Sequence, residues 1–327
     1  MGCNIWKLVG FTCLFLIIKR KAVIRMKKCA VVVVTYNRKA LLRENIEALT
    51  SQSYSEHDII VIDNASTDGT KEMVEGLKNP SIRYYNTGKN LGGAGGFSCG
   101  MRIAAETQYE YAWLMDDDSI PESEALKSLV QKAEKLENNF SFLASLVYWT
   151  DGNLFPMNFP RCDYKRISET SHAYVKNLKI LPITGGSFVG CFINLQVVQE
   201  VGLPIADFFI YGDDLEYTHR LKKVKPCYLD LESSILHKAP TNKGADIASA
   251  SADRIERFFY QSRNGMYVAR KDHKILFRFL EIGRRALHIV GKAPDHKAKR
   301  LWMLIKGSIC GLLYNPPIEY PNNNNEA

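Results

Sequence analysis

Cys29-Ala30-Val31-Val32-Val33-Val34-Thr35-Tyr36-Asn37 decides the fold. A continuous β-branched run is what a strand buried on both faces needs, and it ends here in small polar groups. Working outward, Lys39–Leu49 has helical spacing through Leu41, Leu42, Ile46 and Leu49. Asp58–Ile62 repeats the buried-strand pattern, and Thr67–Leu77 reads as a helix capped by Ser66 or Thr67. Ile82–Asn86 is a short strand, Phe97–Thr107 a helix and Tyr111–Met115 a further strand. Glu122–Glu137 reads as a helix with Pro121 at its start. Strands alternating with helices predict an α/β fold with a mainly parallel central sheet flanked by helices. Such sheets bind ligands at the carboxyl ends of their strands. Shorter strands are expected at Phe142–Tyr148, Ser187–Asn194 and Lys225–Leu229, and basic helices from 253 onward.

The 327 residues are 46% hydrophobic and 24% charged, which excludes a mostly disordered chain and a polytopic membrane protein. Eight scattered cysteines without a CxxC pair point to reduced thiols in a cytoplasmic compartment. The net charge of +8 is concentrated near the ends. Residues 19–28 hold six Lys/Arg and no acid, residues 271–306 hold ten against three acids, and the remainder is net acidic. This distribution argues against a nucleic-acid groove and for tethering to an anionic membrane surface, the inner face of the cell membrane. Residues 1–25 form an apolar and basic segment, too short in its apolar run to span a bilayer. It is open whether this is an interfacial anchor, an uncleaved signal-like segment, or sequence upstream of a start at Met26. Residues 241–315 are helical, with apolar and aromatic residues interleaved with Arg and Lys, as suits helices lying in a membrane interface. The tail 316–327, with four consecutive Asn, is expected to be disordered.

Five motifs fall at strand ends. Thr35 and Asn37 offer small polar groups to a nucleotide base. Asp63, in Val61-Ile62-Asp63-Asn64, is a carboxylate that can accept the imide N–H of uracil or thymine, while Asp68-Gly69 reads as turn chemistry. Thr87–Gly100 holds six glycines in fourteen residues, so the backbone at Asn90, Gly92 and Gly93 can approach a ligand closely, with helix N–H groups free for an anion. It is neither a Walker A loop nor a Rossmann fingerprint. Asp116-Asp117-Asp118 places three carboxylates at a buried strand end, costly without a cation. Their hard oxygens suit Mg²⁺ or Mn²⁺, and Asp116 and Asp118 point the same way in a strand. Tyr211-Gly212-Asp213-Asp214-Leu215-Glu216 supplies a second acidic pair, whose crowding raises a carboxyl pKa toward that of a general base. His237 follows an apolar stretch; as a lone histidine it reads first as a packing residue. Trp149 and Tyr148 can stack on a sugar or pack in the core.

Together these residues resemble the family 2 glycosyltransferases of GT-A fold, over roughly residues 28–270. Val33–Asn37 and Asp63–Thr70 look like the nucleotide-binding opening, and Asp116-Asp117-Asp118 like the metal-binding DxD motif. Asn90–Phe97, Met115–Asp118, Tyr211–Tyr217 and Tyr260-Gln261-Ser262-Arg263-Asn264 are similar to galactofuranosyltransferases, and the last also to rhamnosyltransferases. The resemblance implies a GT-A catalytic domain over residues 26–240, with Asp214 as catalytic base and a Mn²⁺ or Mg²⁺ held by Asp116, Asp118 and His237. Thr35, Asn37, Asp63, Asn90, Gly92, Gly93, Asp116 and Asp117 would hold the donor, and Trp149, Asp213 and Glu216 the acceptor. The implied reaction is inverting transfer of galactofuranose from a UDP donor to a lipid-linked or cell-surface glycan. The alternatives are rhamnose transfer from a dTDP donor and a non-catalytic nucleotide-sugar-binding scaffold. The chain has no room for the N-terminal β-domain of the longer polymerising members, which leaves long-chain polymerisation in doubt.

Overall fold

The computed structural model describes residues 28–107, 109–169 and 176–322. The N-terminal segment 1–25 and residues 323–327 lie outside them.

In chain order the elements are β1 (Cys29–Thr35), α1 (Lys39–Thr50), β2 (His57–Asp63), α2 (Thr70–Gly76), β3 (Ile82–Asn86), α3 (Gly92–Glu106), β4 (Tyr111–Asp116) and β5 (Ser119–Pro121). There follow α4 (Ala125–Lys135), β6 (Phe142–Trp149), β7 (Arg161–Cys162), α5 (Tyr164–Glu169), β8 (Ile180–Gly185), β9 (Cys191–Asn194) and α6 (Leu195–Val201). The chain closes with α7 (Asp213–Lys222), β10 (Cys227–His237), α8 (Arg257–Lys271), α9 (Ile275–Lys292) and α10 (Lys297–Leu313).

The sheet runs β3-β2-β1-β4-β9-β6-β10-β8-β7, with β5 paired to β10. From β3 to β4 it is parallel, as the alternating pattern predicts. Beyond β4 it becomes mixed: β9 runs antiparallel to both β4 and β6, and β8 antiparallel to β10. Alternation along β1 feeds two cores. Cys29, Val31 and Val33 pack with Leu42, Ile46 and Leu49 of α1 and with Leu126 and Leu129 of α4. Ala30, Val32 and Val34 pack on the other face with Phe97 and Met101 of α3 and with Tyr217 and Leu221 of α7. A third, smaller core joins Phe258 of α8, Ile289 of α9 and Leu304 of α10. Helices α8 and α10 cross closely, because a Cβ at Gly307 or Gly311 would meet the carbonyl oxygens of Phe259 or Arg263 at 2.4 and 2.5 Å.

Several local expectations are corrected. Helix α2 begins at Thr70, not Thr67. Asp68, rather than Ser66 or Thr67, accepts from the Thr70 N–H and hydroxyl at 3.2 and 2.6 Å. Pro121 does not start a helix; it ends β5, opposite Ile235. The last sheet strand extends to His237 instead of stopping at Leu229. The glycine-rich segment is itself the first two turns of α3. Of the tail expected to be disordered, residues 316–322 are seated: the Leu203 N–H donates to the Glu319 carbonyl at 2.7 Å. Among the described residues no helix is long and apolar enough to cross a membrane.

Candidate active site

Strand register builds the site. Thr35 pairs with Asp63 across β1 and β2, and Val34 with Asp116 across β1 and β4, so three motif residues share the carboxyl edge of the sheet. The β5–β10 ladder sets His237 opposite Ser119, and the Lys238 N–H donates to the Asp118 carbonyl at 2.8 Å. This return strand carries His237 across more than a hundred residues of sequence to the acidic triplet.

The ligand atoms of Asp116, Asp118 and His237 all lie within 4.8 Å of one another. His237 Nε2 is 3.0 Å from Asp118 Oδ1, and its Nδ1 is 2.8 Å from Asn158 Oδ1. Asn158 in turn donates to the Ser187 hydroxyl at 2.9 Å, which fixes the ring from behind. Arg38 was not anticipated as a site residue. Its guanidinium bonds Asp118 Oδ2 at 2.6 Å and Asp117 Oδ1 at 3.3 Å. Thr35 donates its hydroxyl to Asp117 Oδ2 at 2.7 Å, so that hydroxyl is committed to the acidic loop rather than offered to a base.

Burial pushes Asp116 up to about 6, helped by the neighbouring charge of Asp118 and opposed by His237 and Arg38. Burial likewise lifts Asp117 to about 7, against the pull of Arg38 and Thr35. Asp118 is also buried, yet His237 and Arg38 hold it below the ordinary carboxylate range. Desolvation opposes the His237 imidazolium, but Asp118 and Asp116 raise its pKa overall. Two carboxyls lifted toward the neutral range by burial and by neighbouring carboxylate charge mark a cluster short of positive charge. Two hard oxygens and one imidazole fit Mn²⁺ or Mg²⁺ by donor chemistry.

These residues line a cleft of about 520 Å³ together with Thr35, Asn64, Asn90, Gly92, Gly93 and Arg257. Asn64 donates to the Gly92 carbonyl at 3.0 Å, and Asn90 accepts from the Gly92 N–H at 2.8 Å. Gly92, Gly96 and Gly100 serve close packing, while a Cβ at Gly93 would meet nothing within 4 Å. Gly92 has φ +71°, and a Cβ there would lie 2.1 Å from the Phe209 carbonyl oxygen. The Ala94 N–H is taken by that same carbonyl at 3.2 Å. A Cβ at Gly96 or Gly100 would strike Val34 or Val32 of β1 at 2.6 or 2.3 Å.

Several expected site residues do not line this cleft. Asp63 is fully buried; its carboxylate accepts from the Ser66 N–H at 2.8 Å and the Tyr84 hydroxyl at 2.6 Å, and it does not line the cleft. Asn37 has φ +53° and binds the Thr67 N–H at 2.7 Å, tying two loops together. Glu216 turns away into a 2.8 Å ion pair with Arg220, which also donates to the Val201 and Leu203 carbonyls. It therefore anchors α7 and is not available to an acceptor. Trp149 donates to the Ala239 carbonyl at 2.8 Å and walls an adjoining cavity that shares Pro240 with the cleft.

Asp213 and Asp214 open α7, after a loop held from behind by a side chain. The Asn264 amide donates to the carbonyls of Phe208, Ile210 and Tyr211 at 3.0, 3.1 and 2.9 Å. Phe209 and Tyr211 sit at φ +61° and +68°, costly for large side chains. Arg263 braces the same loop through the Asp207 carbonyl at 2.5 Å and lies 4.0 Å from the Tyr314 ring centroid. Asp214 Oδ1 accepts from the Leu215 N–H at 2.7 Å. Burial lifts Asp214 to about 6, against those backbone N–H groups and Arg161, and raises Asp213 well above its ordinary value beside Asp214. Asp214 is near enough to Asp116 to push its pKa up. It does not itself line the 520 Å³ cleft.

The family model for glycosyl transferase family 2 matches residues 30–201, which contain the parallel half-sheet and the acidic triplet. The chain belongs to glycosyl transferase family 2. It is a glycosyltransferase of GT-A fold. It is 29% identical over 253 residues to galactofuranosyltransferase GlfT1 of Mycolicibacterium smegmatis, covering 74% of this chain and 82% of that one. It is 34% identical over 113 residues to the GalNAc(5)-diNAcBac-PP-undecaprenol beta-1,3-glucosyltransferase of Campylobacter jejuni, covering 34% and 36%. Among solved structures, S. aureus TarS 1–349 in complex with UDP-GlcNAc superposes with a TM-score of 0.52 at 16% identity, over 86% of this chain and 72% of that one. This family 2 fold places its acidic triplet and His237 on one sheet edge.

Proposed function

We propose that this glycosyltransferase is metal-dependent and inverting, and moves galactofuranose from UDP-galactofuranose to a hydroxyl of a lipid-linked or cell-surface glycan. The observation that carries the reading is the Asp116–Asp118–His237 cluster, on a chain similar over most of its length to galactofuranosyltransferases. Asp116, Asp118 and His237 would hold Mn²⁺ or Mg²⁺, which would act as a Lewis acid toward the diphosphate leaving group.

The chain's own residues do the rest. Arg38 pairs with both Asp117 and Asp118 and offsets part of their charge. Arg257, which lines the cleft, supplies a cation to an anionic donor. Asn64, Gly92 and Gly93 wall the donor side. Asp214, poised at about 6, takes the proton from the acceptor hydroxyl as it attacks the anomeric carbon. One displacement with one base inverts that centre, with no carboxylate nucleophile. Exposed apolar residues on α9 and α10, among them Leu276, Leu287, Trp302 and Leu313, support work at the inner face of the cell membrane.

The test is calorimetry with UDP and dTDP, each with and without Mn²⁺, followed by a panel of UDP-galactofuranose, UDP-galactopyranose and dTDP-rhamnose. Metal-dependent UDP binding and turnover of UDP-galactofuranose are expected. Preference for dTDP and turnover of dTDP-rhamnose would move the assignment to a rhamnosyltransferase.

A further inference from the structure

A separate cavity of about 510 Å³ is walled by Tyr211, Gly212 and Leu215, which flank Asp213-Asp214, and by residues of α8 and α9. Its charge is unbalanced: Arg161, Lys274, Arg278 and Arg285 face only Asp272 and Glu281. Glu281 is shared, 2.7 Å from Arg278 Nη1 and 3.9 Å from Arg285 Nη1. The Arg278 side chain is only 10% exposed, and its Nε–H is buried with no partner among the described residues. Its other nitrogens are bonded, to Glu281 and to the Gln261 carbonyl at 3.4 Å, but a buried N–H left without an acceptor is expensive, and native structures supply one. Burial and the adjacent Arg278 also pull the Arg285 pKa down despite Glu281. The site is short of an anion.

Its rim is apolar. Phe277 lines the cavity and is 73% exposed. Beside it, Leu276, Leu280, Leu287 and Val290 lie at helical spacing along one exposed stripe of α9. That stripe is about 21 Å long at the rise of an α-helix. An anion pocket opening onto an apolar track fits a ligand with a phosphate head and a hydrocarbon chain. Inorganic phosphate would gain nothing from the track.

We propose that this cavity seats the phosphate or diphosphate of a polyprenyl-linked glycan acceptor, with the chain leaving along the α9 stripe. The inference rests on the transferase reading above and names the acceptor subsite. The glycan then lies against the loop that presents Asp214. Arg161, which both lines the cavity and acts on Asp214 through its charge, stands between the two functions.

The test is calorimetry of the full chain with farnesyl diphosphate, the nucleotide site saturated with UDP and Mn²⁺. Binding is expected, with inorganic pyrophosphate at least about tenfold weaker. Lys274→Gln and Arg278→Gln should each weaken farnesyl diphosphate by about tenfold, the scale of one charge-assisted hydrogen bond, and leave UDP binding unchanged. Lys274 is 67% exposed, so its substitution does not endanger folding if Arg278→Gln does. Lys292→Gln, at the far end of α9, is the control and should change nothing. The proposal is overturned by absent farnesyl diphosphate binding, by pyrophosphate binding as tightly, or by indifference to Lys274→Gln. It is equally overturned if vesicles of phosphatidylcholine and phosphatidylglycerol displace the probe through the same lysine, since the cavity would then serve bulk headgroups. Failure of UDP to bind in the same titration would instead sink the transferase reading.

Discussion

Replacing Asn264 tests whether one buried amide holds the candidate base in place. Its two amide hydrogens are shared among three carbonyls, those of Phe208, Ile210 and Tyr211. At about 0.5–1.5 kcal/mol per donated hydrogen, Asn264→Ala should cost about 1–3 kcal/mol of stability. The same bonds offset the left-handed backbone at Phe209 and Tyr211, which costs about 1–3 kcal/mol at each residue. Released, the loop should relax and take Asp213-Asp214 with it. If relaxation is favoured by only about 1.4 kcal/mol, one molecule in ten keeps the base in register and kcat falls about tenfold. The loop also lines the donor cleft through Phe209 and Ile210, so donor KM should rise as kcat falls. The assay is thermal unfolding together with kcat and donor KM. Asn264→Asp separates hydrogen bonding from packing, because it keeps the shape but sets a carboxylate against three carbonyl oxygens. It should be at least as damaging as alanine. An Asn264→Asp protein with wild-type stability and kcat would refute the reasoning.

Three further outcomes follow from the site. Asp118→Ala removes a partner of both His237 and Arg38; metal-dependent UDP binding should be lost in calorimetry while the fold survives by circular dichroism. Asp214→Asn should retain donor binding and lose transfer by about a hundredfold or more, within the usual range for a general base. In the wild type, a base raised to about 6 is inactive when protonated, so kcat should climb as pH rises through about 6 and then level; a kcat flat from pH 5 to 7 counts against Asp214. Gly92→Ala would place a Cβ 2.1 Å from the Phe209 carbonyl oxygen at φ +71°, so the protein should melt markedly lower and bind UDP more weakly; unchanged melting would show that the loop can yield.

The buried runs at 29–34, 58–62 and 111–115 were legible as parallel strands, within a residue of the observed ends, because burial on both faces demands a nearly continuous apolar run. The acidic triplet was legible too, since three adjacent carboxylates at a strand end have few structural excuses. Asn264 was visible only as part of a similar motif; its three carbonyl partners lie more than fifty residues away in sequence. Arg38 directly follows the Val33–Asn37 motif, yet its bonds to Asp117 and Asp118 depend on how α1 leaves β1. Asn158 had no sequence signal at all. Glu216 looked like a third functional acid, but its position four residues before Arg220 commits it to an ion pair within α7.

By itself the sequence determined the parallel half-sheet, the carboxyl-edge location of the acidic triplet and the family. Local patterning sets these, because burial, helical period and strand-end chemistry act over a few residues. Tertiary structure alone decided which distant groups meet. The β10 return brings His237 to Asp118, the Asn264 amide fixes the turn before Asp213, and Asp63 is sealed under Tyr84. It also assembled four cations from β7, the α8–α9 turn and α9 into one cavity. Such contacts join residues through space, and no spacing along the chain encodes them.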